Sequence, residues 1–438
     1  MLKFIYNDTC YFCTLSENYR RKRYSKMKKK QGFTLIELLA VVVILAVIAL
    51  ISVPLIMNVI DGARKGALQN TAYGIAEAGK YTFTNEVIKD GSASFTAYIY
   101  ENGVETSSPT GKTLNYKGEK PKTGTILINS KGDIAMSIYN GKYCAEKGFD
   151  DVEVIVNEKA EVDCVLVEEL TEVEVLVVAG GGAGGSNYAE AGTGTTGGGG
   201  GAGGLIYNGT YSVVAGTPID VVVGAGGISP MVIAPAGNGE NSSFGTLIAI
   251  GGGGGACRTC EPSVGGSGGG AGYFKKVGAL GTAGQGYSGG SNVDNTFGGS
   301  GGGGSKEVGY NSLDNSGVAG GDGLYYGDKF GNTLGQNGYF AAGGGGGGRT
   351  GYIGGLGGNG GGGTGGAGSN ATNGLPNTGS GGGGSGSTGF EGGNGGSGIV
   401  IVRYFGAQRA NGGSVTVVGD YTVHTFTSGT ATFTPSDL

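Results

Sequence analysis

Residues 32–54 read GFTLIELLAVVVILAVIALISVP, the only long apolar run in the chain. From Leu38 to Ile51 it holds no charged or strongly polar residue. Residues 33–52 make about 30 Å of helix, which matches one bilayer core. A basic cluster precedes the run, Arg20-Arg21-Lys22-Arg23 and then Lys26, Lys28, Lys29 and Lys30. That bias predicts a single pass with the amino terminus cytoplasmic and everything after about residue 60 outside. Glu37 is the lone charge near the start of the run. An ionisable group there is costly in lipid and points to a function. No small-x-small cleavage site follows before Pro54, so a secretory signal peptide fits badly.

The stretch Lys30-Gln31-Gly32-Phe33-Thr34-Leu35-Ile36-Glu37 resembles the processing site of type IV prepilins and of the related pseudopilins of type II secretion. The resemblance implies that a membrane peptidase cuts after Gly32 and methylates the new amino terminus, Phe33. It implies that Glu37 is the family's acidic residue and Pro54 its helix-kinking proline. Prepilin peptidase, other pilin subunits and an inner-membrane assembly platform become the expected partners. In an apolar filament core a bare carboxylate costs several kcal/mol, and the ammonium of Phe33 on a neighbouring subunit would offset it. The alternative is that Glu37 simply reaches the headgroup layer. Residues 1–32 form the expected leader, and Met27-Lys-Lys-Lys-Gln-Gly32 would suffice alone, which makes Met27 a candidate start. Cys10 and Cys13, a C-x-x-C without a second pair nearby, fall in this removed segment.

Charge fits an exported chain. The formal net charge of −5 hides an asymmetry, because residues 1–32 hold 9 of the 29 Lys and Arg and 2 of the 34 Asp and Glu. The remainder carries −12, which argues against nonspecific nucleic-acid binding. Beyond Pro54 the helical spacing of Val59, Ala63, Ala67, Leu68, Ile75 and Ala78 continues towards Tyr81. Pro54 should kink or locally melt this helix. Residues 33–81 are thus read as the transmembrane and assembly helix, and 82–170 as a small antiparallel β head. In the head, 95–100 and 152–156 read as strands, and 125–129 with 134–139 as a hairpin. Asn102-Gly103 and Asn140-Gly141 are turn signals. Cys144 and Cys164 flank the last strand. Outside the cell a disulfide between them is expected, worth ~3 kcal/mol. Thr110-Gly-Lys-Thr113 lacks the glycine that a phosphate-binding loop needs at Thr106.

Residues 172–438 change composition, and the chain as a whole has 103 glycines. Gly180-x-Gly182-x-x-Gly185 follows a strand but opens no helix, so a dinucleotide fold is excluded. Two readings remain. One is a flexible linker, since glycine loses the most entropy on ordering. The other is an ordered domain of extended three-residue-per-turn helices whose backbone groups pair between helices. Short apolar strands at 219–223, 247–250 and 399–404 punctuate the glycine blocks, and the aromatic spacers at Tyr273-Phe274, Tyr325-Tyr326, Tyr339-Phe340 and Tyr352-Ile353, with the strand-like end of the chain, favour order. Gly-Gly-Ser-Gly398-Ile-Val-Ile-Val-Arg-Tyr404 and Gly-Asp420-Tyr-Thr-Val-His-Thr-Phe-Thr-Ser-Gly-Thr-Ala-Thr-Phe433 resemble the closing strands of glycine-rich domains in phage tail-fibre adhesins. That resemblance implies a sandwich of polyglycine helices, with loops between them that recognise surface receptors.

The expected fold is therefore α+β: a long transmembrane pilin helix, a β head and a polyglycine-helix sandwich with short strands. Tyr273, Phe274, Tyr325, Tyr326, Tyr339, Phe340 and Tyr352, in spacers at 271–277, 323–330, 339–340 and 349–353, are the candidate recognition residues. On this reading Tyr326→Ala spares the fold and Gly360→Val breaks it. Cys257-Arg-Thr-Cys260 reads as a local disulfide pinning a loop, with a reactive pair as the second option. The lone histidine, His424, needs no role beyond packing. Nothing points to catalysis, a metal or a cofactor. Two functions stay open: a minor or tip pilin-like adhesive subunit for an unknown surface receptor, and a pseudopilin of a type II secretion or DNA-uptake system. Replacing Gly32 is expected to leave the full-length precursor in the membrane; an intact leader on surface-exposed wild-type protein, seen by mass spectrometry, would overturn the processing assignment.

Overall fold

A computed structural model describes residues 34–436, apart from 91–95, 109–110, 130, 167–169, 188–193, 276, 294–295 and 407. Gly32, Phe33, Cys10, Cys13 and Met27 lie outside the described residues. The chain divides into a unit ending at Arg64 and a second beginning at Lys65. Helix α1, Leu35–Asp90, runs through both. In the first unit its side chains are almost all exposed, Leu38, Val42, Leu45 and Ile56 among them, and it is long and apolar enough to cross a membrane. The helix is unbroken at Pro54, so of the kink or local melting expected there the melting does not occur. One missing donor is a small loss in a helix whose other bonds are cooperative.

In the second unit α1 buries one face. Leu68, Ala72, Ile75, Ala76 and the partly buried Phe83 recur at helical spacing against the head sheet. The helix ends at Asp90 rather than near Tyr81, and Thr82 and Thr84 bond their hydroxyls back to Ala78 and Lys80 within it. The sheet has β1 Thr96–Glu101, β2 Val104–Ser108, β3 Thr123–Ile128, β4 Ile134–Tyr139, β5 Tyr143–Lys147 and β6 Ile155–Glu158. Its order is β2-β1-β3-β4-β5-β6. Asn102 and Gly103, with φ of 50° and 77°, make the tight turn between β1 and β2. Cys144 on β5 is bonded to Cys164.

The glycine-rich part is rooted in two five-stranded antiparallel sheets. The first holds β7 Glu172–Val178 and β8 Leu205–Ser212 together with β14 Ile399–Phe405, β16 Ser414–Val418 and β17 Tyr421–Phe426. The second holds β9 Ile219–Val223, β10 Ser242–Phe244, β11 Leu247–Ala249, β15 Ala410–Asn411 and β18 Gly429–Pro435. Val173, Val175, Val177, Val400 and Val402 face the second sheet, meeting Val221, Phe244 and Phe433. Leu176, Val178, Ile399 and Ile401 point the other way, into a core with Phe330 and Phe340. Burial on both faces explains the consecutive apolar residues 175–178 of β7 and 399–402 of β14. Phe330 and Phe340 belong to an inserted element made of β12 Leu324–Tyr325, the single turn α2 Gly327–Phe330 and β13 Tyr339–Phe340. Phe405 and Tyr421 pack on Ala97 and Leu127 of the head sheet. His424 is fully buried; Gly412 O lies 2.7 Å from its Nδ1 and the Tyr404 hydroxyl 2.9 Å from its Nε2. Burial pushes the imidazole below its ordinary value.

Between the strands, the glycine tracts form a hydrogen-bonded lattice with period three. Along 197–204, the N–H groups of Gly197, Gly200 and Gly203 donate to the carbonyls of Ser385, Gly382 and Gly379. Those of Gly198, Gly201 and Gly204 donate to Ala256, Gly253 and Ile250, and those of Gly199 and Ala202 to Ser300 and Gly303. The descending numbers mark antiparallel neighbours and the ascending pair a parallel one. Its carbonyls accept with the same period. Gly185, Gly182 and Ala179 donate to Gly198, Gly201 and Gly204; Gly347 and Gly344 donate to Gly197 and Gly200; Gly270 and Ser267 donate to Gly199 and Ala202. The donor direction repeats every three residues, the period of the polyproline II conformation. The helix 197–204 thus has neighbours on all sides, and a Cβ at each of its glycines would fall well inside contact distance of another atom.

Where a helix lacks a neighbour, side-chain oxygens stand in. Asn238 and Asn241 accept from Gly254 and Gly251 at 2.9 and 2.8 Å. Asn370 and Asn373 accept from Glu391 and Asn394 at 3.0 and 2.8 Å. In both pairs the asparagines stand three residues apart, in step with the helix they cap. Gly360 lies at a turn with φ of 122°, and an added Cβ would come no closer than 3.2 Å to Ala342. It is therefore constrained by backbone conformation and not, as expected, by helix packing. Gly200 carries the packing constraint, since a Cβ there would fall well inside contact distance of the Gly182 carbonyl. Gly200→Ala should cost ~3 kcal/mol or more, whereas Asn373→Ala, which opens one edge bond, should cost ~1 kcal/mol. Urea denaturation of the full chain in detergent checks the ranking, and equal stabilities would refute the close-packed lattice.

Candidate functional site

Each glycine helix has a root and a tip. At the root, β7 continues into 179–187, 197–204 runs into β8, 251–256 leaves β11 and 391–398 enters β14. At about 3.1 Å per residue, eight residues separate root from tip by ~25 Å. At the tip the loops converge. Arg258 N–H donates to Asn187 Oδ1 at 2.7 Å, and the Thr196 hydroxyl donates to the Phe297 carbonyl. Asn315 ties two further loops together, accepting from Phe297 N–H through Oδ1 at 3.1 Å and from Arg349 N–H through its carbonyl at 2.9 Å.

These loops present a row of aromatic and guanidinium groups. Tyr273 lies flat on Phe297, with centroids 4.3 Å apart and planes within 6°. Phe274 meets Tyr273 edge-on at 4.4 Å. Arg349 sits 4.5 Å over Phe297 and Arg258 sits 5.9 Å over Phe274. Phe274 is 51% exposed, and the neighbouring Tyr352 and Ile353 are 46% and 71% exposed. Lys275 pairs with Glu261 at 2.7 Å. Cys257 and Cys260 are bonded to each other in the same cluster. The row is amphipathic and partly open to solvent, through Phe274 above all, which suits contact with another surface. Phe297, Arg258 and Arg349 were missed in the sequence reading. Their signal is position: Phe297 and Arg349 adjoin a glycine block, and Arg258 stands three residues beyond one.

The other four aromatic candidates lie at the root. Phe340 is fully buried, so its assignment to recognition is corrected: it belongs to the core beside Leu176 and Ile401. Tyr326 is half-buried, with its ring 5.3 Å from Tyr207 and 6.3 Å from Phe330. Tyr325 and Tyr339 pair across β12 and β13 at 4.9 Å, and the Tyr325 hydroxyl donates to Asn332 at 2.9 Å. Arg403 fastens this element to the sheet, donating to Glu174 at 2.7 Å and to the Lys329 carbonyl. Lys329 Nζ lies 3.2 Å from Glu174, and the Tyr207 hydroxyl donates to the same carboxylate. Burial alone would push the Glu174 carboxyl up, but Arg403, Tyr207 and Lys329 hold it below its ordinary value.

At the start of α1, Thr34 and Glu37 form a reciprocal cap. Thr34 N–H donates to Glu37 Oε2 at 2.9 Å, and Glu37 N–H donates to Thr34 Oγ1 at 3.3 Å. This capping box gives Glu37 a local task that the sequence reading overlooked, although Thr-x-x-Glu is its signature.

A family model described as a glycine-rich domain matches residues 159–405. A second, described as a prokaryotic N-terminal methylation motif, matches residues 27–53. No curated protein matches the chain, and no solved structure does.

Tyr326→Ala is now expected to lower stability by about 2 kcal/mol through lost packing. Phe274→Ala should stay within about 0.5 kcal/mol of wild type. Denaturation of the two variants checks this, and the opposite order would move the root element to the surface.

Proposed function

The chain belongs to the glycine-rich domain family and carries a prokaryotic N-terminal methylation motif, and from this premise we propose that it is a minor or tip subunit of a type IV pilus-like fibre that presents an adhesive surface. The motif makes it a pilin- or pseudopilin-like subunit and a substrate of a prepilin peptidase that assembles with other pilins. The finer reading has cleavage between Gly32 and Phe33, insertion with the amino terminus inside, passage through an inner-membrane platform, and display of the glycine-rich part on the cell surface. No catalytic step belongs to this role. The observation that carries the adhesive part is the stacked aromatic and guanidinium row at the lattice tip, half-buried except for the exposed Phe274. A glycine-rich part this large would crowd a fibre if every subunit bore it, which favours a rare subunit. Immunogold labelling of intact cells tests the reading. Label on fibres supports it, and label confined to the envelope overturns it in favour of a secretion or uptake pseudopilin.

Glu37 has two roles in this reading: capping its own helix and holding the ammonium of Phe33 on a neighbour. Glutamine keeps the capping box but carries no charge. Glu37→Gln is therefore expected to insert normally and to enter fibres several-fold less than wild type. Glu37→Ala should in addition lose about 1 kcal/mol of helix stability. Fibre incorporation measured by quantitative blotting decides the matter. Normal assembly of the glutamine variant would leave Glu37 as a cap alone.

A further inference from the structure

Two disulfides lie in the described residues, and their surroundings differ. In Cys144–Cys164 both residues are buried, Cys144 completely, against Tyr139. Cys257–Cys260 is asymmetric. Cys257 is fully buried at the end of the glycine helix 251–256. Cys260, three residues on, is only half-buried, and Thr259 before it is exposed. The loop is held on either side of this exposed stretch, at Arg258 N–H by Asn187 and at Ser263 N–H by the Gly254 carbonyl, 2.8 Å away. The N–H of Cys260 points at the sulfur of Cys257, 3.0 Å away.

We propose that Cys257–Cys260 is an exchangeable disulfide through which the tip forms a reversible covalent bond with a thiol-bearing partner. Attack on a disulfide needs access to one sulfur and a stabilised leaving thiolate on the other. Cys260 supplies the access. The partner's thiolate adds to Cys260 Sγ, forming a new S–S bond as the Cys257–Cys260 bond breaks. The electron pair leaves on Cys257 Sγ, where the Cys260 N–H already points and bonds better to a charged acceptor. One disulfide replaces another, so no oxidant or reductant is consumed. The reverse attack by Cys257 on Cys260 expels the partner and restores the ring. The fixed backbone on either side keeps Cys257 in place to make that return. The proposal rests on the tip reading only in that a partner must meet these loops; the chemistry does not depend on where the protein is displayed.

The test uses the full chain in detergent, with glutathione as the thiol, quenching with N-ethylmaleimide and peptide mass mapping. The expected product carries one glutathione on Cys260 and one maleimide on Cys257, with Cys144–Cys164 intact and reacting at least roughly tenfold more slowly. Cys260→Ser should abolish the glutathione adduct. Cys257→Ser, which leaves a free thiol at Cys260, should take up glutathione from oxidised glutathione. Glutathione found on Cys257, equal reaction of the two disulfides, or no adduct on wild type while Cys257→Ser reacts or stays inert would each overturn the proposal. No cell enters this experiment, so its failure would leave the adhesive reading standing, and a failed immunogold result would leave the exchange chemistry standing.

Discussion

The backbone N–H···O=C bond between neighbouring glycine helices is the interaction on which the molecule's larger part depends. Glycine gives up more conformational entropy on ordering than any other residue, and it brings no side chain to bury. A buried peptide group without a partner costs as much as a lost hydrogen bond. An interior made of glycine therefore has to be bonded group by group, and the period-three donation from 197–204 to its neighbours does this. The same constraint explains the asparagines at the margins, where Asn238, Asn241, Asn370 and Asn373 replace the missing carbonyls. It also explains the sandwich. The valines of β7, β9 and β14 and the rings of Phe244 and Phe433 provide the apolar burial that the lattice lacks, and they align the first residue of each helix.

The strands at 219–223 and 399–404 were legible because their β-branched apolar residues cluster and a glycine closes or opens each run. Order in the glycine tracts was legible from the spacers, but their neighbours were not. A run of identical residues carries no register, and only the asparagine pairs at three-residue spacing encode one. In the head, β5 hides behind Cys144, Glu146 and Lys147, which break any alternation, and β6 lies later than the apolar residues of 152–156 suggested. The two kinds of Gly-Tyr-Phe triplet are the instructive case. Gly-Tyr273-Phe274 lies at the tip and Gly-Tyr339-Phe340 at the root. The triplet is the same, but Gly-Tyr273-Phe274 follows its glycine block and Gly-Tyr339-Phe340 precedes one, at 343–348. Both blocks run from root to tip, antiparallel to 197–204, so a triplet that follows lies at the tip and one that precedes lies at the root.

The structure separates three tasks along the chain. The capped apolar start of α1 serves anchoring, the head and the paired sheets serve burial, and the loops beyond the glycine helices are left free of both. Arg258 and Arg349 illustrate the last point. Neither has a carboxylate within ion-pairing distance among the described residues; each rests on an aromatic face instead. Arg403, by contrast, is committed to Glu174 in the interior.

The capped margins and the two-ended helices together bear on how such a surface changes over generations. In a sheet, an insertion slips the register and turns inside residues out. Here each glycine helix is positioned by its own carbonyls and amides, from its strand outward, so a change in the length of a tip loop is absorbed beyond the last lattice bond. The loop carrying Cys257 and Cys260, closed on itself by a local crosslink and tied to Asn187, is insulated twice over. The architecture separates variation from stability: tip residues outside the ties made by Asn187, Thr196 and Asn315 can change while the lattice bonds stay as they are.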